Sequence, residues 1–168
     1  MANAGIYAAN ITQALSKAAP DLAPVFHEAG DAYRRRLADL DREVRASFAT
    51  VPPERRRIIT SHDAFGYYGA AYGLTLLAPQ GLSTESEPSA GSVAKLIRQI
   101  RTTGVKAIFI ENVTDPRLMQ RIARESGAVV GGELYSDALS GPDGPAATYI
   151  DMVRHNTRSI VAALSGKG

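Results

Sequence analysis

The groups able to do chemistry in this sequence collect just after short apolar runs. Ile58-Ile59 is followed by Ser61, His62 and Asp63. Leu74 to Ala78 leads through Pro79 into a polar stretch with Glu85 and Glu87. Val105 to Ile110 ends on Glu111 and Asn112. Ala128 to Leu134, which contains Glu133, is followed by Tyr135, Ser136 and Asp137. Imidazole nitrogen and carboxylate oxygen together suit zinc or a similar divalent ion. The chain has no cysteine, which excludes disulfides, thiolate metal sites, iron–sulfur clusters and cysteine catalysis.

Each of these residues also has a plainer reading. Asp63 before a helix acts most simply as a first-turn acid facing the helix dipole, with Ser61 or His62 as the cap. Glu111 ends a strand, and turn chemistry accounts for Asp137. Asp115-Pro116 has the form of an N-cap followed by proline at the first helical position. His27 and His155 lie within helical patterns, without an acidic or imidazole partner at metal-ligand spacing, and read as structural. Phosphate loops of the Walker type, GxGxxG after a strand, HExxH and GxSxG are all absent. Ser61-His62-Asp63 holds the residue types of a hydrolytic triad, but neighbours in sequence do not form a nucleophile–base–orienter relay without special geometry.

The four apolar runs are rich in Ile, Val and Leu, and helical patterns separate them. Ala64 to Tyr72 follows the first. Val93, Leu96, Ile97 and Ile100 mark the next helix; Leu118, Met119 and Ile122 another; Tyr149, Met152, Val153, Ile160 and Leu164 the last. Strands alternating with helices predict a parallel sheet flanked by helices. Ligands bind such sheets outside the carboxyl ends of the strands, where the residues named above collect.

Two helices are expected before the sheet. Ile6, Ile11, Leu15 and Ala18 recur at helical spacing up to Pro20. Beyond Pro24 a longer stripe runs through Phe26, Tyr33, Leu37, Leu40, Val44, Phe48 and Val51, until Pro52-Pro53 stops it. Arg34, Arg35, Asp39, Arg42 and Arg45 fall mostly between these positions and read as a solvated face of ion pairs. The expected organisation is helices over 1–51 and an α/β lobe over 52–168. Ser83 to Gly91 and Ser140 to Ala146 are the polar, Gly/Pro-bearing loops.

A chain of 168 residues buries enough surface to fold without staples. Its net charge of +2 is too balanced for a nucleic-acid binder led by electrostatics. No apolar run approaches the ~20 residues of a membrane span. Met1 to Gly5 lacks the charged and apolar regions of a signal peptide, so none is expected.

The stretch from Ile59 to Gly73, ITSHDAFGYYGAAYG, closely resembles a motif of the zinc/manganese solute receptors of bacterial ABC transporters. Further similarities follow in the same order. They are Ser83 to Ser89, Ala107 to Glu111, Gly131 to Leu139 (GGELYSDAL) and Tyr149 to Asn156. Receptors of this family have two α/β lobes joined by one long helix, with the metal between the lobes and usually two ligands from each. The resemblance therefore implies a single four-stranded C-terminal lobe, preceded by the long interlobe-type helix. It implies His62 and Asp137 as that lobe's metal ligands, and no catalysis.

The resemblance further implies zinc as cargo, with manganese possible, because zinc receptors have histidine at the position of His62 and many manganese receptors have glutamate. It implies an ABC permease as partner and a periplasmic or extracytoplasmic, membrane-associated location for the intact receptor. The N-terminal lobe, with its two histidine ligands, is expected outside this chain. Two ligands do not close a zinc shell. Water, the absent lobe or a second copy of the chain would complete it, and binding by the half alone would be weak and lost as His62 protonates. The stripe of Tyr7, Ile11, Leu15 and Phe26 would be left uncovered, which favours association. Two other readings remain at this point. One is a small Mg-dependent enzyme of flavodoxin-like or Rossmann-like class; the other is a partner-docking surface.

Overall fold

The computed structural model describes residues 1–79, 89–105 and 107–166; Glu85 and Glu87 lie outside the described residues. The chain forms two compact units, Met1–Ala46 and Ser47–Gly168.

The first unit contains α1 (Ala2–Ala18) and most of α2 (Ala23–Ala49). At ~1.5 Å per residue α2 is about 40 Å long. The two helices approach closely at Gly30, where an added Cβ would stand 2.2 Å from Thr12 Oγ1. Leu37, Leu40 and Val44 are buried. The charged face of α2 is laced as its pattern predicts, by Arg34–Asp31, Arg42–Asp39 and Arg45–Asp41 pairs three or four residues apart. No residue of α1 is buried. Tyr7, Ile11 and Leu15 are exposed, whereas Phe26 is half-buried.

The division at 46/47 falls inside α2, before the Pro52-Pro53 break. Phe48 explains this. Its ring stacks on Tyr72 and meets Tyr68 edge-on, both at 6.0 Å, so the helix end already belongs to the second unit's core.

The second unit continues with β1 (Arg57–Ile59), α3 (Gly66–Tyr72), β2 (Thr75–Leu77), α4 (Ala90–Thr103), β3 (Ala107–Glu111), α5 (Pro116–Ser126), β4 (Val129–Leu134) and α6 (Tyr149–Ser165). All strand pairs are parallel, in the order β2-β1-β3-β4. Successive residues of a strand face opposite sides, and β3 shows it. Ile108 joins Val93, Leu96, Ile97 and Ile100 of α4 and Met119 and Ile122 of α5 in one buried cluster. Phe109 faces the other way, near Ala163 of α6. β3 is thus covered on both sides, which is why it reads as an unbroken apolar run, whereas the edge strand β4 is exposed along most of its length.

Local signals set the helix ends. Ser89, Asp115 and Thr148 accept main-chain N–H bonds as N-caps of α4, α5 and α6, and Gly104, Gly127 and Gly166 close the same helices in the left-handed conformation. The expectation for Asp115-Pro116 therefore holds. The one for the start of α3 does not. Its N-cap is Phe65, without a side-chain cap bond, and its first turn has no acid. Asp63 sits outside the helix, and the 61–62 main chain is held by another group, described below.

Tyr68 packs inside the aromatic cluster of Phe48, Phe65 and Tyr72, with its hydroxyl 2.6 Å from Thr157 Oγ1. Burial holds its pKa above the ordinary phenol value. A raised folded-state pKa gives stabilisation that is complete below about pH 10, the unfolded value, and lost as pH rises beyond it. Urea midpoints measured from pH 9 to 11 are expected to fall in the parent. They should fall less in Tyr68→Phe, which has no phenol proton to lose.

Candidate metal centre

His62 leaves β1 at its carboxyl end, and Glu111 ends the adjacent strand β3. Between these two strands the sheet order turns back on itself, since β2 lies on one side and β4 on the other. Crevices at such switch points are the usual ligand sites of open parallel sheets.

His62 is buried, and its turn is tied down from several directions. Its carbonyl accepts from Thr60 Oγ1 at 2.9 Å and from Ala64 N at 3.0 Å. Its N–H and that of Ser61 donate to Glu111 Oε1, at 3.1 and 2.7 Å. Thr114 Oγ1 donates to Ser61 Oγ at 3.0 Å.

The two faces of the ring differ. Nε2 lies 2.9 Å from Asp137 Oδ2, and Nδ1 lies 2.8 Å from Glu111 Oε2. The Asp137 side chain is 62% exposed, whereas that of Glu111 is fully enclosed. One side therefore opens to solvent and the other is sealed.

Asp137 arrives at Nε2 through an irregularity in β4. Ile108 pairs with Val130, but Ile110 pairs with Glu133, so β4 carries one extra residue. Gly132 takes φ +120 there, a conformation open to glycine. Beyond the strand, asparagines hold the chain. Asn112 accepts from Ser136 N and donates to the Ala138 carbonyl, each at 3.3 Å, and so brackets Asp137. Asn156, buried on α6, accepts from Tyr135 N at 3.0 Å and donates to its carbonyl at 2.7 Å.

The separation of His62 Nε2 and Asp137 Oδ2 is close to what a shared ion needs. Zn–N and Zn–O bonds of ~2.0–2.2 Å at a tetrahedral angle place the two donors ~3.4 Å apart. A small movement of the exposed Asp137 side chain would admit an ion. Glu111 faces the opposite ring nitrogen and cannot share that ion. Accordingly, no group of three or more His, Asp or Glu side chains among the described residues could hold a metal.

The other candidates fall elsewhere. Asp115 caps α5 and is held below the usual carboxylate range by Arg117. His27 Nε2 lies 3.4 Å from Ser16 Oγ, and His155 Nε2 lies 3.1 Å from the Glu133 carbonyl, both of them exposed contacts. No helix among the described residues is long and apolar enough to cross a membrane.

Residues 1–163 match the sequence profile of ZnuA, the periplasmic component A of the zinc-uptake complex. The chain belongs to that family. It is 38% identical over 160 residues to the zinc-binding protein TroA of Treponema pallidum, covering 92% of this chain and 52% of TroA. The solved TroA structure superposes with a TM-score of 0.87. Identity to the manganese-binding lipoprotein MntA of Bacillus subtilis is 35% over 165 residues, covering 95% of this chain and 54% of MntA. The Mn-bound periplasmic metal-binding protein of Candidatus Liberibacter asiaticus matches with a TM-score of 0.86 at 31% identity, over 97% of this chain and 60% of that one. The chain thus spans about half the length of the curated family members it matches, and its four-stranded parallel α/β lobe is the TroA lobe fold.

Proposed function

We propose that the chain is the C-terminal lobe, with the interlobe helix, of an extracytoplasmic receptor for an ABC importer of zinc. His62 Nε2 and Asp137 Oδ2 are two of its metal ligands. One observation carries the reading. Donors from loops 75 residues apart in sequence meet at 2.9 Å at the switch point of the sheet, one locked and one exposed. The zinc-binding and manganese-binding relatives support it.

The remaining coordination positions are filled by groups outside the described residues, in the manner of a second lobe. Imidazole favours zinc over manganese, so manganese is the weaker cargo. The chemistry asked of the site is reversible coordination. No bond of a substrate is made or broken, so the protein is not an enzyme. A permease is its partner downstream.

Titration calorimetry of the chelator-stripped chain with Zn²⁺ and Mn²⁺ tests this. Weak zinc binding and weaker manganese binding are expected. Absence of zinc binding at millimolar protein would reject the site.

A further inference from the structure

Glu111 is almost completely buried, and an enclosed carboxylate is costly without partners. Oε1 has two, the N–H groups of Ser61 and His62. Oε2 has no hydrogen bond, and neither has His62 Nδ1, although the two stand 2.8 Å apart. A buried acceptor and a buried ring nitrogen therefore face each other, off the direction in which a ring N–H would point.

A neutral imidazole carries one proton. An ion at Nε2 needs the lone pair there, so the proton must reside on Nδ1. Oε2, 2.8 Å away, becomes its acceptor with a slight turn of the ring. We propose that Glu111 is a positioning residue for the metal site: one oxygen fixes the 61–62 main chain, and the other accepts a hydrogen bond from His62 Nδ1–H, so that Nε2 meets the ion as a lone pair. The proposal rests on the metal-binding reading and deepens it. In the metal-free protein Asp137 draws the same proton from the Nε2 side, but it does so from a largely exposed position where water weakens its pull.

Removing Asp137 isolates the effect of Glu111. Ring-nitrogen NMR of metal-free Asp137→Ala, with the pH raised until the His62 ring carries a single proton, is expected to show that proton on Nδ1. Resonances are assigned against His62→Ala, since the chain has three histidines. In the Asp137→Ala/Glu111→Gln double variant the proton is expected on Nε2. Glutamine keeps a carbonyl oxygen for the two main-chain donors but turns an NH₂ toward Nδ1. A proton on Nε2 in the single variant, or an unchanged tautomer in the double one, overturns the proposal. The single variant alone decides the matter if the double one fails to fold.

With Asp137 intact, Glu111→Gln is expected to bind Zn²⁺ about 10–100-fold more weakly, as loss of an outer-shell partner usually does. Unchanged affinity would overturn the proposal too. The tautomer measurement needs no metal. A parent that binds no zinc would therefore sink the binding reading while leaving the proton result to stand or fall separately.

Discussion

His62→Ala and Asp137→Ala are each expected to lower zinc affinity by more than ~100-fold, beyond the usual cost of losing an outer-shell group. Their stabilities should diverge. Asp137 is largely exposed, and its side chain meets the His62 ring, so Asp137→Ala should unfold at the parent's temperature. His62 is buried, and its removal leaves a void beside the enclosed Glu111 carboxylate. That variant should melt lower, because a cavity and an unmet polar group both cost stability. Calorimetric titration and thermal unfolding of the same samples separate the effects. Parent-like zinc binding by Asp137→Ala would be decisive against the assignment, since misfolding could not be blamed.

The fold was readable where one local rule acts alone. Asp115-Pro116 announces the start of α5. The double-sided burial of β3 shows as an unbroken apolar run. The start of α3 was misread because Asp63 obeys a local rule that the tertiary structure overrides. Helix α3 begins only at Gly66, past Asp63, and the Ser61 and His62 N–H groups before it are held by the side chain of Glu111. The unit boundary at 46/47 was also out of reach. It depends on which rings Phe48 meets, and helical spacing carries no such information.

The site was legible as a list of residues at one sheet edge, but not as roles. His62 and Asp137 came from sequence context, and the structure brings their donors together. Glu111 looked like a strand terminus, and nothing local marks it as buried. Asn112 and Asn156 were missed as the holders of the Asp137 loop. Asn156 did leave a signal: it sits with Thr157 between Val153 and Ile160 on the buried face of α6. A polar side chain on an apolar stripe must find partners inside, and this one finds the Tyr135 main chain.

Gly131→Ala is expected to destabilise the chain by about 1–3 kcal/mol through overpacking. An added Cβ would stand 2.8 and 2.9 Å from Phe109 ring carbons and 2.9 Å from Ala163 Cβ. All of these are closer than carbon atoms approach without repulsion. Phe109 has no exposed surface, so its ring cannot swing into solvent, and Ala163 has no rotamer to change. The strain must instead move α6 or β4. Ordinarily alanine in place of glycine stabilises a strand by restricting the unfolded chain, but by less than 1 kcal/mol, so the clash wins. For a protein of this size each kcal/mol lowers the melting temperature by about 2–4 °C. Phe109→Leu, itself destabilising, removes the ring atoms that collide. The Gly131→Ala cost should therefore shrink in that background, a coupling that a double-mutant cycle reads directly. Additive losses would show that the α6 side, through Ala163, carries the strain. Since α6 also bears Asn156, zinc affinity would then fall together with stability, because a displaced α6 loosens the loop that carries Asp137.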